Sequence, residues 1–207
     1  MTEHYFSPRP QAPHRPGRVR VILPEVYLEL ATDAGVFSPA RLDPGTRVLL
    51  DASPPPPASG DLLDLGCGYG PIACVLAARS PGATVWAVDV NERALELCAG
   101  NAAAAGLDNV RCLAPTSAAL PARFAGIWSN PPIRVGKQAL HELLGSWLGR
   151  LGPGGQAYLV AGRNLGADSL HRWLAEQGWP VTRLAARAGY RLLQVSYQAE
   201  RTVVTPP

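Results

Sequence analysis

From residue 61 onward the chain repeats one pattern that leaves few folds open: short apolar runs of strand length alternate with helical stretches. Leu62 to Leu65 reads as a buried strand, Pro71 to Arg79 as a helix with proline in its first turn, and Thr84 to Val88 as a second strand. Asn91 is placed to cap a helix ending at Gly106, after which Val110 to Leu113 and Phe124 to Trp128 read as strands three and four. Leu140, Leu143, Leu144, Trp147, Leu148 and Leu151 fall at helical spacing on one face, and Gly152-Pro153-Gly154-Gly155 is expected to stop that helix. Gln156 to Val160 is the fifth strand, and Asp168 to Gln177 a helix closed by Gly178. Strands joined through helices run parallel, because a crossover needs that length of chain. The last two runs, Val181 to Leu184 and Tyr190 to Tyr197, are separated by a short turn and so must pair antiparallel. The expected fold is α/β: a doubly wound, mostly parallel seven-stranded sheet with one antiparallel strand at its C-terminal end.

The residues before this pattern read differently. Residues 1–17 are expected to form an extended arm, since Pro8, Pro10, Pro13 and Pro16 forbid regular structure. Its neighbourhood is basic through Arg9, Arg15, Arg18 and Arg20, and His4 and His14 read as surface residues without partners. Val19, Val21 and Leu23 alternate, as do Val26, Leu28 and Leu30, and the Pro24-Glu25 break between them predicts a β-hairpin. A loop, Gly35-Val36-Phe37-Ser38, precedes a helix with Asp43 as N-cap and Pro44 at its first position. Pro54 to Pro57 is a stiff spacer. The division expected is an arm, hairpin and helix over 1–57 packed on a ligand-binding segment over 58–207, forming one structural unit.

Composition narrows the setting. A chain of 207 residues accommodates one full core. It has no apolar run long enough to span a bilayer, and its polar, proline-rich start does not resemble a secretory signal. Cys67, Cys74, Cys98 and Cys112 form no C-x-x-C pair and no metal-ligand spacing, so they are expected to be reduced structural thiols of a cytoplasmic protein, with no metal site. Of the 19 basic residues Lys137 is the sole lysine. Arginine pairs bidentately with phosphate and stacks on bases, which is compatible with RNA.

Two stretches carry chemistry. Asp64-Leu65-Gly66-Cys67-Gly68-Tyr69-Gly70 sits where the first strand of the sheet turns into its helix. A dinucleotide loop would need Gly or Ala where Pro71 stands, and a carboxylate at the strand end is poor company for pyrophosphate. It suits a cation. S-adenosylmethionine carries an ammonium and a sulfonium and no phosphate, and glycines let the backbone approach it closely. Asp89 ends the second strand, where an acid can accept from both ribose hydroxyls, and Val90 follows to lie against an adenine. The second stretch, Ser129-Asn130-Pro131-Pro132-Ile133, ends the fourth strand abruptly and holds one carboxamide there in a restricted frame. A carboxamide carbonyl and a backbone carbonyl together suit a planar amino group that loses a proton while it is alkylated.

These residues together resemble the class I S-adenosylmethionine-dependent methyltransferases, whose sheet is Rossmann-like. Asp64 to Gly70 is similar to their first motif, Asp89 to the ribose acid, and Asn130-Pro131-Pro132-Ile133 to the signature of amino-group methyltransferases. With Gly35 to Ser38 and Asp43 to Thr46, the set resembles the catalytic domain of ribosomal RNA guanine-N2 methyltransferases acting on the small subunit. The resemblance implies S-adenosylmethionine held by Asp64, Gly66, Cys67, Gly68, Gly70, Asp89, Val90 and Asn130. It implies catalysis by Asn130, Pro131 and Pro132 without a metal, with guanine N2 of 16S ribosomal RNA or the assembled small subunit as acceptor. Arg134 and Lys137 would meet RNA phosphates. Ile133 stands where the signature commonly has an aromatic residue that stacks on the base, and Cys112-Leu113-Ala114-Pro115-Thr116 lacks the acid that relatives carry on the adenine side. Transfer to another amine or amide (a protein glutamine, an adenine, a small molecule) and a non-catalytic RNA-binding role stay open at this level.

Overall fold

The structure, a computed structural model, describes residues 12–198. Most of the expected arm and the side chain of Arg134 lie outside the described residues. The arm is shorter than expected at its inner end: Gly17 already pairs with Thr32. Strands β1 (Gly17–Leu23) and β2 (Val26–Thr32) form the hairpin, turning on Pro24-Glu25 with Leu23 opposite Val26. Alternation sets its two faces. Val19, Val21, Leu23, Val26, Leu28 and Leu30 are buried, while Arg18, Arg20, Ile22, Tyr27 and Glu29 face out. Arg18 and Arg20 are engaged by Glu29 at 2.6 and 3.5 Å. His14 is exposed but does have a partner: its Nδ1 bonds the buried carboxylate of Asp33, which also accepts from the Arg15 and Ala34 N–H groups.

Helix α1 (Pro44–Ala52) starts as the sequence indicates, with the Asp43 carboxylate accepting from the Thr46 N–H at 2.9 Å. The sheet then follows: β3 (Ser59–Leu65), α2 (Pro71–Arg79), β4 (Gly82–Val88), α3 (Glu92–Ala104), β5 (Val110–Leu113), β6 (Phe124–Ser129), α4 (Lys137–Leu148), β7 (Leu151–Gly162), α5 (Ala167–Glu176), β8 (Val181–Arg187) and β9 (Tyr190–Ser196). The seven strands lie in the order β5-β4-β3-β6-β7-β9-β8, and β9 is antiparallel to both neighbours. The strand order reverses between β3 and β6, so the crevice beyond their carboxyl ends is the place where such sheets bind ligands.

One expectation fails within this architecture. Helix α4 ends at Leu148 with Gly149 as its C-cap, and Leu151 opens β7 opposite Phe124 instead of continuing the helix face. Gly152 to Gly155 lie inside β7, where the register with β6 shifts. The reason is local crowding. A Cβ on Gly155 would stand 3.1 and 3.2 Å from the carbonyl oxygens of Phe124 and Ala125, so glycine lets the two strands close together across an irregular pairing.

Each face of the sheet has its own core. On one side Leu63, Leu65, Phe124, Ile127, Leu159 and Leu193 meet α4 and α5 through Leu140, Leu144, Trp147, Leu170 and Leu174. On the other, α2 and α3 cover the β3–β5 end, whereas α1 makes its contacts with β7, β8 and β9. Trp128, Tyr158, Val160 and Leu192 share that second core with Val48, Leu49 and Leu50 of α1 and with the buried hairpin residues. Helix α1 thus covers sheet surface that α2 and α3 do not reach, while β2 of the hairpin contacts α2 and α3 themselves. Gly126 makes room for Trp128, since a Cβ there would fall 2.5 Å from its ring. All four cysteines are free thiols, and burial pushes Cys74 up to about 12, in keeping with structural roles.

Candidate active site

The crevice at the strand reversal is a cleft of about 310 Å³. Four strand ends meet there: Gly66 and Gly68 after β3, Asp89, Val90 and Asn91 after β4, Pro115 after β5, and Asn130, Pro131 and Pro132 after β6. Phe37 closes one side from the loop before α1, and Val135, Ala139, Leu143 and Trp147 form the α4 side.

The glycine loop is built from backbone conformations that favour glycine. Gly66, Gly68 and Gly70 have φ of +79, +55 and +91°. The N–H groups of Gly66 and Cys67 both donate to the Val88 carbonyl, at 2.8 and 3.0 Å, and the Gly68 N–H donates to Asp89 Oδ2 at 2.9 Å. Asp89 Oδ1 accepts from the Asn91 N–H at 2.9 Å, so one carboxylate ties the first loop to the second. Burial raises the Asp89 carboxyl above its ordinary value, against these hydrogen bonds. The three glycines differ in what they face. A Cβ on Gly66 or Gly68 would meet nothing within 4 Å, while one on Gly70 would strike Cys98 Sγ at 2.6 Å. Gly70 serves the packing of α2 on α3; Gly66 and Gly68 leave room for a ligand.

Asp64 and Cys67 do not reach the cleft. Residues on β3 alternate between the two cores, and Asp64 faces the α2 side, fully buried. Its Oδ2 accepts from the Ala73 N–H at 2.9 Å and its Oδ1 has no partner among the described residues. Burial, opposed by that hydrogen bond and aided by Asp89, pushes it up to about 8. Cys67 is buried too and lines a small adjoining cavity with Asp43, Thr46, Tyr69 and Asn130.

The turn after β6 is held from both ends. Ser129 Oγ donates to the Leu65 carbonyl at 2.7 Å in the interior, which ties the end of β6 to the end of β3. The Pro131 carbonyl accepts from the Ile133 N–H at 2.8 Å, leaving it one further lone pair, and the Pro132 carbonyl accepts from Val135 at 3.1 Å. Asn130 Nδ2 donates to Asp43 Oδ2 at 2.8 Å and to Thr46 Oγ1 at 3.1 Å. The sequence identifies Asp43 as a helix cap; its second role, toward Asn130, appears only when α1 meets β6.

Ile133 is not on the cleft. It is partly buried and packs against the core that includes α4. The aromatic ring at the Asn130 end of the cleft is Phe37, which sequence reasoning named only as part of a loop. Its neighbour Val36 is buried, and the Gly35 carbonyl accepts from Asn91 Nδ2 at 2.8 Å, anchoring the loop to α3. At the end of β5 Pro115, not Thr116, reaches the cleft. Lys137 is exposed at the start of α4. Among the described residues no helix is long and apolar enough to cross a membrane.

Comparison with known proteins places this geometry. The family described as "Methyltransferase small domain" matches residues 27–194. The Bacillus subtilis protein YbxB is 34% identical over 197 residues, covering 94% of this chain and 98% of that one. The ribosomal RNA small subunit methyltransferase C of Pseudomonas aeruginosa is 34% identical over 202 residues, covering 93% of this chain and 58% of its own. The structure of a Thermus thermophilus 16S rRNA N2 G1207 methyltransferase, RsmC, in complex with AdoMet and guanosine superposes with a TM-score of 0.75. It is 26% identical, and the match covers 90% of this chain and 52% of that one. The chain therefore spans about half the length of the ribosomal RNA methyltransferases it matches. A family match running from β2 into β9 leaves the assignment plain: the chain belongs to the methyltransferase small domain family, within the class I S-adenosylmethionine-dependent methyltransferases.

Proposed function

We propose that the protein transfers the methyl group of S-adenosylmethionine to an exocyclic amino group of RNA, guanine N2 of the small-subunit (16S) ribosomal RNA. The observation that carries this reading is the meeting, across one cleft, of a glycine cradle open to a ligand and a rigid Asn-Pro-Pro turn. The residues present fit the cofactor. Gly66 and Gly68 leave space that any side chain would fill, Asp89 keeps lone pairs for ribose hydroxyls, and Val90 and Pro115 offer apolar contact to an adenine. Asp64 acts from behind the loop: a cation bound near Gly66 would draw its buried carboxyl, with Oδ1 unpartnered among the described residues, toward the charged form. Cys67 contributes backbone only, and Gly70 shapes the loop.

When bound, the cofactor supplies an activated methyl on a sulfonium, a good leaving group. This chain's residues then have to position the nucleophile. A guanine taken out of its stack would lie against Phe37, with its amino group toward Asn130. Asn130 Oδ1 and the remaining lone pair of the Pro131 carbonyl would accept the two amino hydrogens and so hold the amine for attack on the methyl group that the bound cofactor would supply. These two acceptors would also take up the positive charge that develops on the nitrogen, and the surplus proton would pass by way of them to solvent. Pro132 holds the frame rigid. Lys137, exposed at the start of α4, meets a phosphate flanking the target. Residues up to 57 and those from 58 onward form a single working unit in this reading, acting in the cytoplasm on the RNA or the assembled subunit.

The test is incubation with labelled cofactor and small-subunit RNA or subunits, followed by digestion to nucleosides. Label in N2-methylguanosine is expected. Label in adenosine, protein or a small amine would overturn the guanine assignment, and cofactor binding without transfer to any acceptor would overturn the enzymatic one.

A further inference from the structure

We propose that Asp43 is a positioning residue for the reaction: it fixes the Asn130 carboxamide with its carbonyl toward the reacting amine. The inference rests on the reading above, that Asn130 accepts a hydrogen from that amine. A carboxamide is nearly symmetric in shape, and its terminal torsion has two broad wells. Turned the wrong way, it would present N–H to N–H and repel the substrate. Nothing in the Asn-Pro-Pro backbone chooses between the two orientations.

The choice is made by α1. The Asp43 carboxylate offers acceptors only, and Oδ2 takes the Thr46 N–H at 2.9 Å and Asn130 Nδ2 at 2.8 Å. Thr46 Oγ1 takes the amide nitrogen at 3.1 Å. Both amide hydrogens are thereby used, and a flipped carboxamide would set its oxygen against a carboxylate oxygen. The anchor is itself fixed. The Asp43 carbonyl accepts from the Arg47 N–H at 2.9 Å, Pro44 restricts the first turn, and Gly45 lies so close to Tyr190 that a Cβ would meet the ring at 2.7 Å. Asp43 and Thr46 line the small cavity beside the cleft, not the cleft itself, so they act through Asn130 and not on the substrate. A segment outside the parallel sheet thus sets the polarity of the active-site acceptor.

The experiment is a double-substitution cycle measured with labelled cofactor and RNA, using D43G, N130D and D43G/N130D. One oxygen, Oδ2, serves both the cap and Asn130, so an amide at position 43 would keep both bonds; glycine removes that oxygen and is tolerated at an N-cap, so D43G keeps α1. D43G is expected to lower kcat about thirtyfold, with RNA KM and cofactor Kd within about threefold of wild type, because misoriented groups cost rate more than binding. N130D sets two carboxylates face to face and is expected to lose about a hundredfold or more. The double variant removes the facing carboxylate and leaves the one at position 130 free to accept from the amine. It is expected to be about tenfold faster than N130D alone. A merely structural Asp43 would give no such rescue. The side-chain amide resonances of Asn130 read the same contact without turnover; slow proton exchange in wild type should be lost in D43G. An active wild type with an equally active D43G, a double variant as slow as the product of the singles, or an Asn130 resonance unmoved by D43G would each overturn the positioning role. A wild type that methylates no amine would overturn the functional reading, and this inference with it.

Discussion

The two loops that face each other across the cleft are stabilised in different ways. The glycine loop after β3 is held by the next strand of the same half of the sheet, through Val88 and Asp89 at the end of β4, with Asp89 21 positions beyond Gly68. The Asn130 turn is held by residues far away in the chain: Leu65, 64 positions earlier, and Asp43, 87 positions earlier. The first loop is therefore a device that one strand–helix–strand unit carries with it. The second becomes an acceptor of defined polarity only when the N-terminal helix has docked. Under the proposed function, a ligand is held by one half of the sheet, whereas orienting a reacting amine draws on the N-terminal helix as well.

The comparison can be broken first at Gly70. Alanine there must adopt φ near +91° and bring a Cβ against Cys98, including its Cα at 3.2 Å. Strain and overpacking together should cost about 3 kcal/mol of stability and abolish cofactor binding. Denaturant unfolding and calorimetry check both. Gly66→Ala faces open space and should keep more of its stability while still losing cofactor affinity.

Asp64 gives a pH signature to the cofactor side. Burial holds its carboxyl up to about 8, so the free protein carries it largely protonated at neutral pH. A cation bound nearby favours the carboxylate, so binding releases a proton. Cofactor affinity should rise by up to about tenfold per pH unit approaching 8 and then turn down, because the cofactor's own α-ammonium loses its proton at about 8. Asp64→Asn should bind weakly with no such slope. For the free protein the sign is opposite. The folded pKa lies above the ordinary 3.8, so this group's contribution to stability is greatest below that value and falls as pH rises through about 8. Titration calorimetry between pH 6 and 9 reads the first effect, and urea melts read the second.

Phe37 tests the acceptor side. Phe37→Ala should raise the RNA KM about tenfold, the scale of one lost base–aromatic contact. Its cofactor Kd should not change, and Phe37→Tyr should restore the KM. The smallest effect belongs to the tie between the loops. Ser129→Ala removes one buried hydrogen bond to the Leu65 carbonyl and should cost about 1 to 2 kcal/mol, with a modest fall in kcat.

The same contrast explains what the sequence discloses. The strand–helix order, the hairpin on Pro24-Glu25, the Asp43 cap and the helix from Pro71 to Arg79 are set by residues adjacent in the chain, and they stand as read. So does the collection of Gly66, Gly68, Asp89, Val90, Asn130, Pro131 and Pro132 on one cleft. The errors come from contacts between distant residues. Gly152 to Gly155 look like a helix stop, yet they are strand because Phe124 and Ala125 approach them. Asp64 looks like a ligand at a strand edge, but alternation along β3 turns it under α2. Ile133 stands in the sequence where the signature has an aromatic residue, yet it packs, partly buried, against the α4-side core, while Phe37 reaches the cleft from another segment. Local pattern assigns elements; it does not say which side chain crosses a gap.

The division of labour between the two loops is tested most directly by Asn130→Ala, with cofactor binding and single-turnover methyl transfer measured on the same protein. The prediction is a cofactor Kd within about threefold of wild type and a transfer rate lowered by about two to three orders of magnitude, the scale seen when one polar group stabilising a transition state is removed. A variant that binds cofactor normally and transfers at the wild-type rate would contradict the account.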